Sequence, residues 1–278
     1  MPARPDAPPA RVLAWLYSHP AQRPSLAALF AIEREIGTSL RPGLDHDVAH
    51  ARLAWWREEC ARCAGGRPVH PLTRELAAAF EPPGRAALAQ LPGLVDTAAW
   101  DLACAPFETR RELEAYCGRW SAALIEPLAQ LAGSEVAAGP LATFGRQLRE
   151  IELLLALAGD ARLGRARLPL DELERAAVTP EELARPPWSA ALAAMLHARH
   201  RALRAALATS VAALGPQAQA ALRGLIVWAA LAASHSRRAQ ALLPHVSAAR
   251  DYHAPLDGWR AWRAARRADA GRGLACAD

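Results

Sequence analysis

The chain has 278 residues, a net charge of +5 and 52% hydrophobic residues, enough length and apolar content to bury a sizeable core. Ala, Leu and Arg dominate while β-branched and aromatic residues are sparse, which favours helices over sheet. The positive charge is spread along the chain without a like-charge block or aromatic-basic alternation, so no nucleic-acid surface is expected.

Residues 1–10 are Pro-rich and read as loose, and Arg11 to Ser18 reads as a short helix. Pro24 and Ser25 open the next, with Ser25 as its expected N-cap. In that helix Leu26, Leu29, Phe30, Ile32 and Ile36 form an apolar stripe. His46 to Cys63 reads as an amphipathic helix with Leu53, Trp56 and Cys60 on one side. A Gly-x-Pro-x-His-Pro loop follows, in which His70 reads as a turn residue beside Pro71. The five cysteines, Cys60, Cys63, Cys104, Cys117 and Cys276, lack disulfide-like spacing and fit a reducing compartment. Cys60 and Cys63 form a lone CxxC, without the second pair that zinc needs or the βαβ setting of a redox motif.

Pro82 to Pro92 interrupts the helices, and Leu94 to Leu102 and Leu113 to Ala123 resume them. Gly145 to Pro169 (GRQLREIELLLALAGDARLGRARLP) reads as one long helix running into a Gly- and Arg-rich turn. Thr179, Pro180 and Glu182 have capping-box spacing. Helices are expected at Trp188 to Ala213 and Pro216 to Leu243, and a short basic helix at Trp259 to Arg272. That last segment places indoles and guanidiniums together, suiting either an anionic lipid surface or docking of its tryptophans on the body of the domain. The longest apolar run, Gly224 to Ala233, falls far short of the roughly 18 residues of a spanning helix. With no signal-peptide pattern, the chain reads as cytoplasmic, with peripheral membrane contact left open.

The Gly145–Pro169 stretch resembles the second Asp-rich motif of the squalene/phytoene synthase family. Gly145, Arg146, Leu148, Leu154, Ala158, Asp160, Arg162, Gly164, Arg165, Leu168 and Pro169 keep its pattern. Trp56, Arg57, Gly66, Pro68, His70 and Pro71, then Asp96 and Asp101, then Tyr116, Cys117 and Arg119, fit further family segments, so the resemblance spans about residues 20–243. It implies an all-α, single-domain helical bundle of the isoprenoid synthase type around a central cavity. Residues 1–20 are expected as an N-terminal extension, 21–250 as the domain and 251–278 as a basic, Trp-containing tail.

In the family, Mg²⁺ held by carboxylates on two facing helices neutralises the diphosphate that leaves an allylic substrate. Here the expected aspartates fall on Gly37, Thr38 and Arg41 in the first motif and on Ala156 in the second. Asp160 survives, and Glu152 lies two helical turns before it; these two are the residual metal-ligand candidates. The resemblance implies anion or diphosphate contacts at Arg34, Arg119, Arg149, Arg165 and Tyr116; the alternative is that the arginines pair with Glu33, Glu35, Glu150 and Glu152, with Glu33, Glu150 or Glu152 meeting Arg34 or Arg149. Trp120 stands where the family has a smaller residue, so it fills cavity space if it faces inward. Phe30, Glu33, Arg52, Trp55, Trp56 and Arg57 are similar to the family's complex I assembly factors, which have also lost synthase aspartates.

The expected function is a catalytically degenerate family member, with no catalytic residue and no cofactor, that binds an isoprenoid-like lipid, an isoprenoid diphosphate or a partner protein. The alternative is an active Mg²⁺-dependent prenyl transferase joining two prenyl diphosphates head to head.

Overall fold

The computed structural model describes residues 5–134, 136, 138–246 and 254–274, and these contain helices and turns but no strand. The helices are α1 (Pro9–Tyr17), α2 (Arg23–Gly37), α3 (His46–Ala64), α4 (Pro71–Ala78), α5 (Pro92–Leu102), α6 (Arg110–Leu131), α7 (Ala138–Arg162), α8 (Leu170–Arg175), α9 (Ala190–Ala213), α10 (Gly215–Ala221), α11 (Arg223–Leu242) and α12 (Ala254–Asp269). Short 3-10 turns cover Pro20–Gln22, Thr38–Leu40, Pro82–Gln90 and Pro180–Ala184.

The antiparallel pair α6 and α7 is the spine. Leu148, Ile151, Leu154, Leu157 and Ala158 of α7 are buried at helical spacing, as the sequence pattern requires. The helix stops where Gly164 takes the left-handed conformation (φ +80°) and the Arg165 N–H returns to the Asp160 carbonyl at 2.9 Å. Gly145 lets α7 approach α6 closely, since a Cβ there would lie 1.9 Å from Ser121 Oγ. On one flank α5 joins α6 and α3, and α2 packs on α4; on the other, α9 and α11 cover α7.

Glu59 ties α3 to the loop before α4. Its buried carboxylate accepts the backbone N–H groups of Val69 and His70, each at 2.9 Å, and the Thr73 hydroxyl. His70 caps α4 through its ring nitrogen, 3.2 Å from the Leu72 N–H. That is the turn role expected of it. Cys60 and Cys63 are buried against this junction, and burial pushes both thiols up to about 12, far from the reactive range.

Several boundaries differ from expectation. Pro24 sits in the first turn of α2, where its missing N–H is harmless, so the helix opens at Arg23 and Ser25 is buried inside it rather than capping it. Pro216 to Leu243 is two helices, divided at Leu222, two residues before Gly224. The capping box at Thr179 is present, but it opens a 3-10 turn.

Helix α1 packs on α11 and buries Arg11, Ala14 and Trp15. The C-terminal helix α12 likewise packs on α11 and α1 through Ala261, Ala264 and Ala265. Residues 1–4, the expected boundary at 250/251 and Cys276 lie outside the described residues. Among the described residues no helix is long and apolar enough to cross a membrane.

Gly224 is the point of closest approach between α11 and α1. A Cβ there would lie 2.6 Å from the Ala14 carbonyl oxygen and 2.1 Å from Ser18 Oγ. Backbone cannot rotate away, so Gly224→Ala is expected to destabilise the chain by about 1–3 kcal/mol. A lower urea midpoint checks this; an unchanged midpoint would mean that α1 is not structurally integral.

Candidate functional site

Four helices meet around a buried charge cluster. α1 contributes Arg11, α2 Glu33, α6 Tyr116 and Trp120, and α7 Arg149 and Glu152. Arg11 donates to both carboxylates: to Glu33, and to Glu152 Oε2 at 3.2 Å. Arg149 donates to the same Glu152 oxygen at 3.1 Å. The indole N–H of Trp120 reaches Glu33 Oε1 at 2.8 Å, and that of Trp228 on α11 reaches Glu152 Oε1 at 3.1 Å. Aromatic rings of Phe30, Trp120 and Trp228 surround the Arg11 guanidinium, the last with its centroid 4.7 Å away.

Burial disfavours the charged form of Glu33, yet the Arg11 and Arg149 guanidiniums and the two side-chain hydrogen bonds outweigh it and hold the carboxyl below its ordinary range. Burial opposes the charge on Arg149 too, but Tyr116, Glu152 and Glu33 together raise its pKa well above normal. Burial raises the Tyr116 phenol.

A second cluster lies alongside. Arg167 holds Asp101 of α5 bidentately, at 2.5 and 3.0 Å, and donates from Nε to Asp160 Oδ2 at 2.7 Å. Arg165 lies 3.7 Å from the other Asp160 oxygen. The Tyr116 hydroxyl donates to Asp101, and Arg149 reaches that hydroxyl at 3.5 Å, linking the two clusters.

A divalent cation implied by the family would need free carboxylate oxygens. The donor set does not fit one. Glu33 and Glu152 share Arg11, Asp160 and Asp101 share Arg167, and Arg149 stands beside them. At the first motif, Gly37 carries no donor, Thr38 Oγ1 accepts Arg52 at 2.7 Å, and Arg41 is exposed. Among the described residues no three His, Cys, Asp or Glu side chains are grouped to hold a metal ion.

The sequence-named residues separate accordingly. Arg149, Tyr116 and Glu152 belong to the central cluster, and Asp160 and Arg165 to its neighbour. Arg34 sits at the rim, paired with Asp6 and with Glu35 at 3.3 Å. Arg119 is exposed on α6 and borders neither cavity described below. Trp120 does face inward, 1% exposed. Sequence reasoning missed Arg11, Arg167 and Trp228 as partners. The one available signal for Arg11 was a single charge inside the otherwise uncharged helix PARVLAWLY.

Two cavities flank the clusters. The smaller, about 420 Å³, is bordered by Arg11, Glu33, Arg34, Ile36, Tyr116 and Arg149. The larger, about 790 Å³, lies between α7, α9 and α11. Leu154, Ala158, Trp188, Leu196 and Leu243 give it apolar walls, and Arg162, His200, His235, Arg238 and His245 add basic groups. Among the described residues Arg162 and Arg238 have no acidic partner.

Removing one member of the central cluster leaves a buried charge unpaired. Arg11→Met is expected to cost about 3–5 kcal/mol in denaturant unfolding, and Arg11→Met combined with Glu33→Leu considerably less than the sum of the single changes. Additive costs would show that the pair is not coupled.

His200 supplies a pH prediction. It is 3% exposed and bonds Ser236 Oγ at 2.9 Å; burial, with Arg204 and His197 nearby, lowers its pKa to about 4. The unfolded chain therefore takes up this proton first. The stabilisation is complete above about pH 6.5, the ordinary value, and is lost as pH falls toward 4, by ~3 kcal/mol. His200→Gln is expected to flatten the stability profile between those limits; an unchanged profile would assign the loss to other groups.

Comparison with known proteins agrees with this architecture. The chain is similar to a dehydrosqualene synthase solved with a ligand, at 16% identity and a TM-score of 0.73, over 94% of this chain and 90% of that one. It is also similar to squalene synthase HpnC from Alicyclobacillus acidocaldarius, at 16% identity and a TM-score of 0.63, over 82% of this chain and 87% of that one. These likenesses show the all-helical isoprenoid synthase fold. No curated protein matches the sequence significantly. Residues 9–260 match the squalene/phytoene synthase family across nearly the whole described chain, from the helix that carries Arg11 into α12, and the protein belongs to that family.

Proposed function

We propose that this protein is a non-catalytic member of its family that binds an anionic, isoprenoid-like amphiphile without a metal ion. The observation that carries the reading is the sharing of Glu33 and Glu152 by Arg11. These are the carboxylates that α2 and α7 turn toward each other, and they are neutralised by guanidiniums. Releasing them to a cation would leave Arg11 and Arg149 buried and unpaired, at a cost of several kcal/mol.

The same pairing decides where a ligand would go. Two arginines balance two glutamates in the central cluster, and Arg34 is paired with Asp6 and Glu35, so the smaller cavity has little surplus charge for an anion. The larger cavity combines apolar walls with Arg162 and Arg238, and its volume lies within the usual range for small-molecule sites. An apolar chain with an anionic head matches that lining. The synthase names of the structural neighbours favour the alternative, a working Mg²⁺-dependent prenyl transferase.

Calorimetry with a non-hydrolysable farnesyl diphosphate analogue, with and without Mg²⁺, together with an assay for diphosphate release, tests the reading. Binding is expected without metal, weakened about tenfold by Arg238→Ala and little changed by Arg34→Ala, with no release. Mg²⁺-dependent release that disappears in Asp160→Asn would overturn it and establish the transferase. Absence of binding in both conditions would leave a partner-protein role, as in the assembly factors the sequence resembles.

A further inference from the structure

Helix α12 has two faces of different composition. One carries Asp257, Ala261, Ala264, Ala265 and Ala268, all buried, and the alanines among them let the helix lie close on Val227 and Leu231 of α11 and on α1. Asp257 fastens it to α11 at 2.9 Å from His235, and within α12 it accepts from Arg260 at 3.1 Å.

The opposite face carries Leu256, Trp259, Trp262, Arg263 and Arg266, at spacings of three, six, seven and ten residues from the first. Trp259 and Trp262 are 52% and 51% exposed, the most exposed of the nine tryptophans, and Leu256 is 49% exposed. Arg263 lies 4.6 Å from the ring centroid of Trp259, and Arg266 lies 5.9 Å from that of Trp262. Asp257 is buried, and Asp269, seven residues after Trp262 at the end of this face, is the one acidic side chain on it and pairs with Arg223 of α11 at 3.3 Å. The body of the domain is already docked through alanine, so the tryptophans are not needed for its packing.

We infer that the outer face of α12 binds the surface of an anionic lipid bilayer, with the helix lying parallel to it. Indoles favour the interfacial layer, where an apolar ring meets a wet N–H. Guanidiniums stacked beside them reach lipid phosphates, and Asp269, the one carboxylate at the end of the face, is offset by Arg223, so a negative surface meets net positive charge. Leu256, Trp259 and Trp262 supply the apolar contact and Arg263 and Arg266 the charge complementarity, the combination found in helices that lie on membranes rather than cross them. The inference is independent of the cavity reading above.

Deleting the helix would expose Val227 and Leu231, so point variants of the full chain are the proper test. The probe is sedimentation with vesicles of phosphatidylcholine alone or phosphatidylcholine containing phosphatidylglycerol. Wild type is expected to sediment with the anionic vesicles and not with the zwitterionic ones. Arg263→Gln with Arg266→Gln is expected to weaken binding about 25-fold, at about fivefold per arginine. Trp259→Ala with Trp262→Ala is expected to weaken it roughly tenfold or more, with partial recovery in the double phenylalanine variant. Unaltered circular dichroism would confirm that each variant keeps its fold. Any of three results would overturn the inference: no sedimentation with anionic vesicles, equal sedimentation with both kinds, or double variants that bind like wild type.

Discussion

The Arg11 guanidinium is the contact on which the centre of this molecule depends. It reaches carboxylates on two different helices, is ringed by three aromatic side chains, and comes from a helix at the start of the chain. A cation in such a place is tolerable only with its counter-charges fixed around it, because desolvation alone would cost many kcal/mol. Its presence therefore dictates that α1 must be docked, that Glu33 and Glu152 must be held beside it, and that α2 and α7 must keep their spacing. Gly224 permits the first of these by letting α1 reach α11 without a Cβ between them.

In an isoprenoid synthase bundle the facing helices serve chemistry when their carboxylates hold cations that receive a diphosphate. Here positive charge comes from side chains that are already satisfied. On the proposed reading, a fixed charge stands where a mobile, ligand-responsive one would serve catalysis. Trp120 and Trp228 donate to the same glutamates and fill central space. Asp160, the surviving motif aspartate, is drawn the same way, toward Arg167 and Arg165.

The larger of the two cavities lies to one side, between α7, α9 and α11, and α12 is joined to that region through the contact between His235 and Asp257. An apolar cavity with basic groups and a helix face suited to a lipid surface thus belong to neighbouring parts of one bundle. Proximity of this kind would shorten the path of a water-insoluble ligand between membrane and protein.

Much of the architecture follows from the sequence because it rests on local rules. The apolar spacing of Leu148, Ile151 and Leu154, the turn at Gly164, His70 before Pro71 and the capping box at Thr179 each act within a few residues, and each appears where expected. Loss of the motif aspartates at Gly37, Arg41 and Ala156 was equally legible. The local pair of Arg149 with Glu152 was legible too, but tertiary structure decided which distant charges meet. Glu33 was expected to find Arg34 or Arg149, but its partner is Arg11, 22 positions earlier, and Glu152 meets the same arginine from 141 positions away. Arg119 matched the family pattern, yet it lies on a solvent face because its neighbour Trp120 takes the inward direction. Helical periodicity says which residues share a face. It does not say which distant faces meet, and for a buried ion pair that meeting determines whether a carboxylate is available to a ligand or already neutralised.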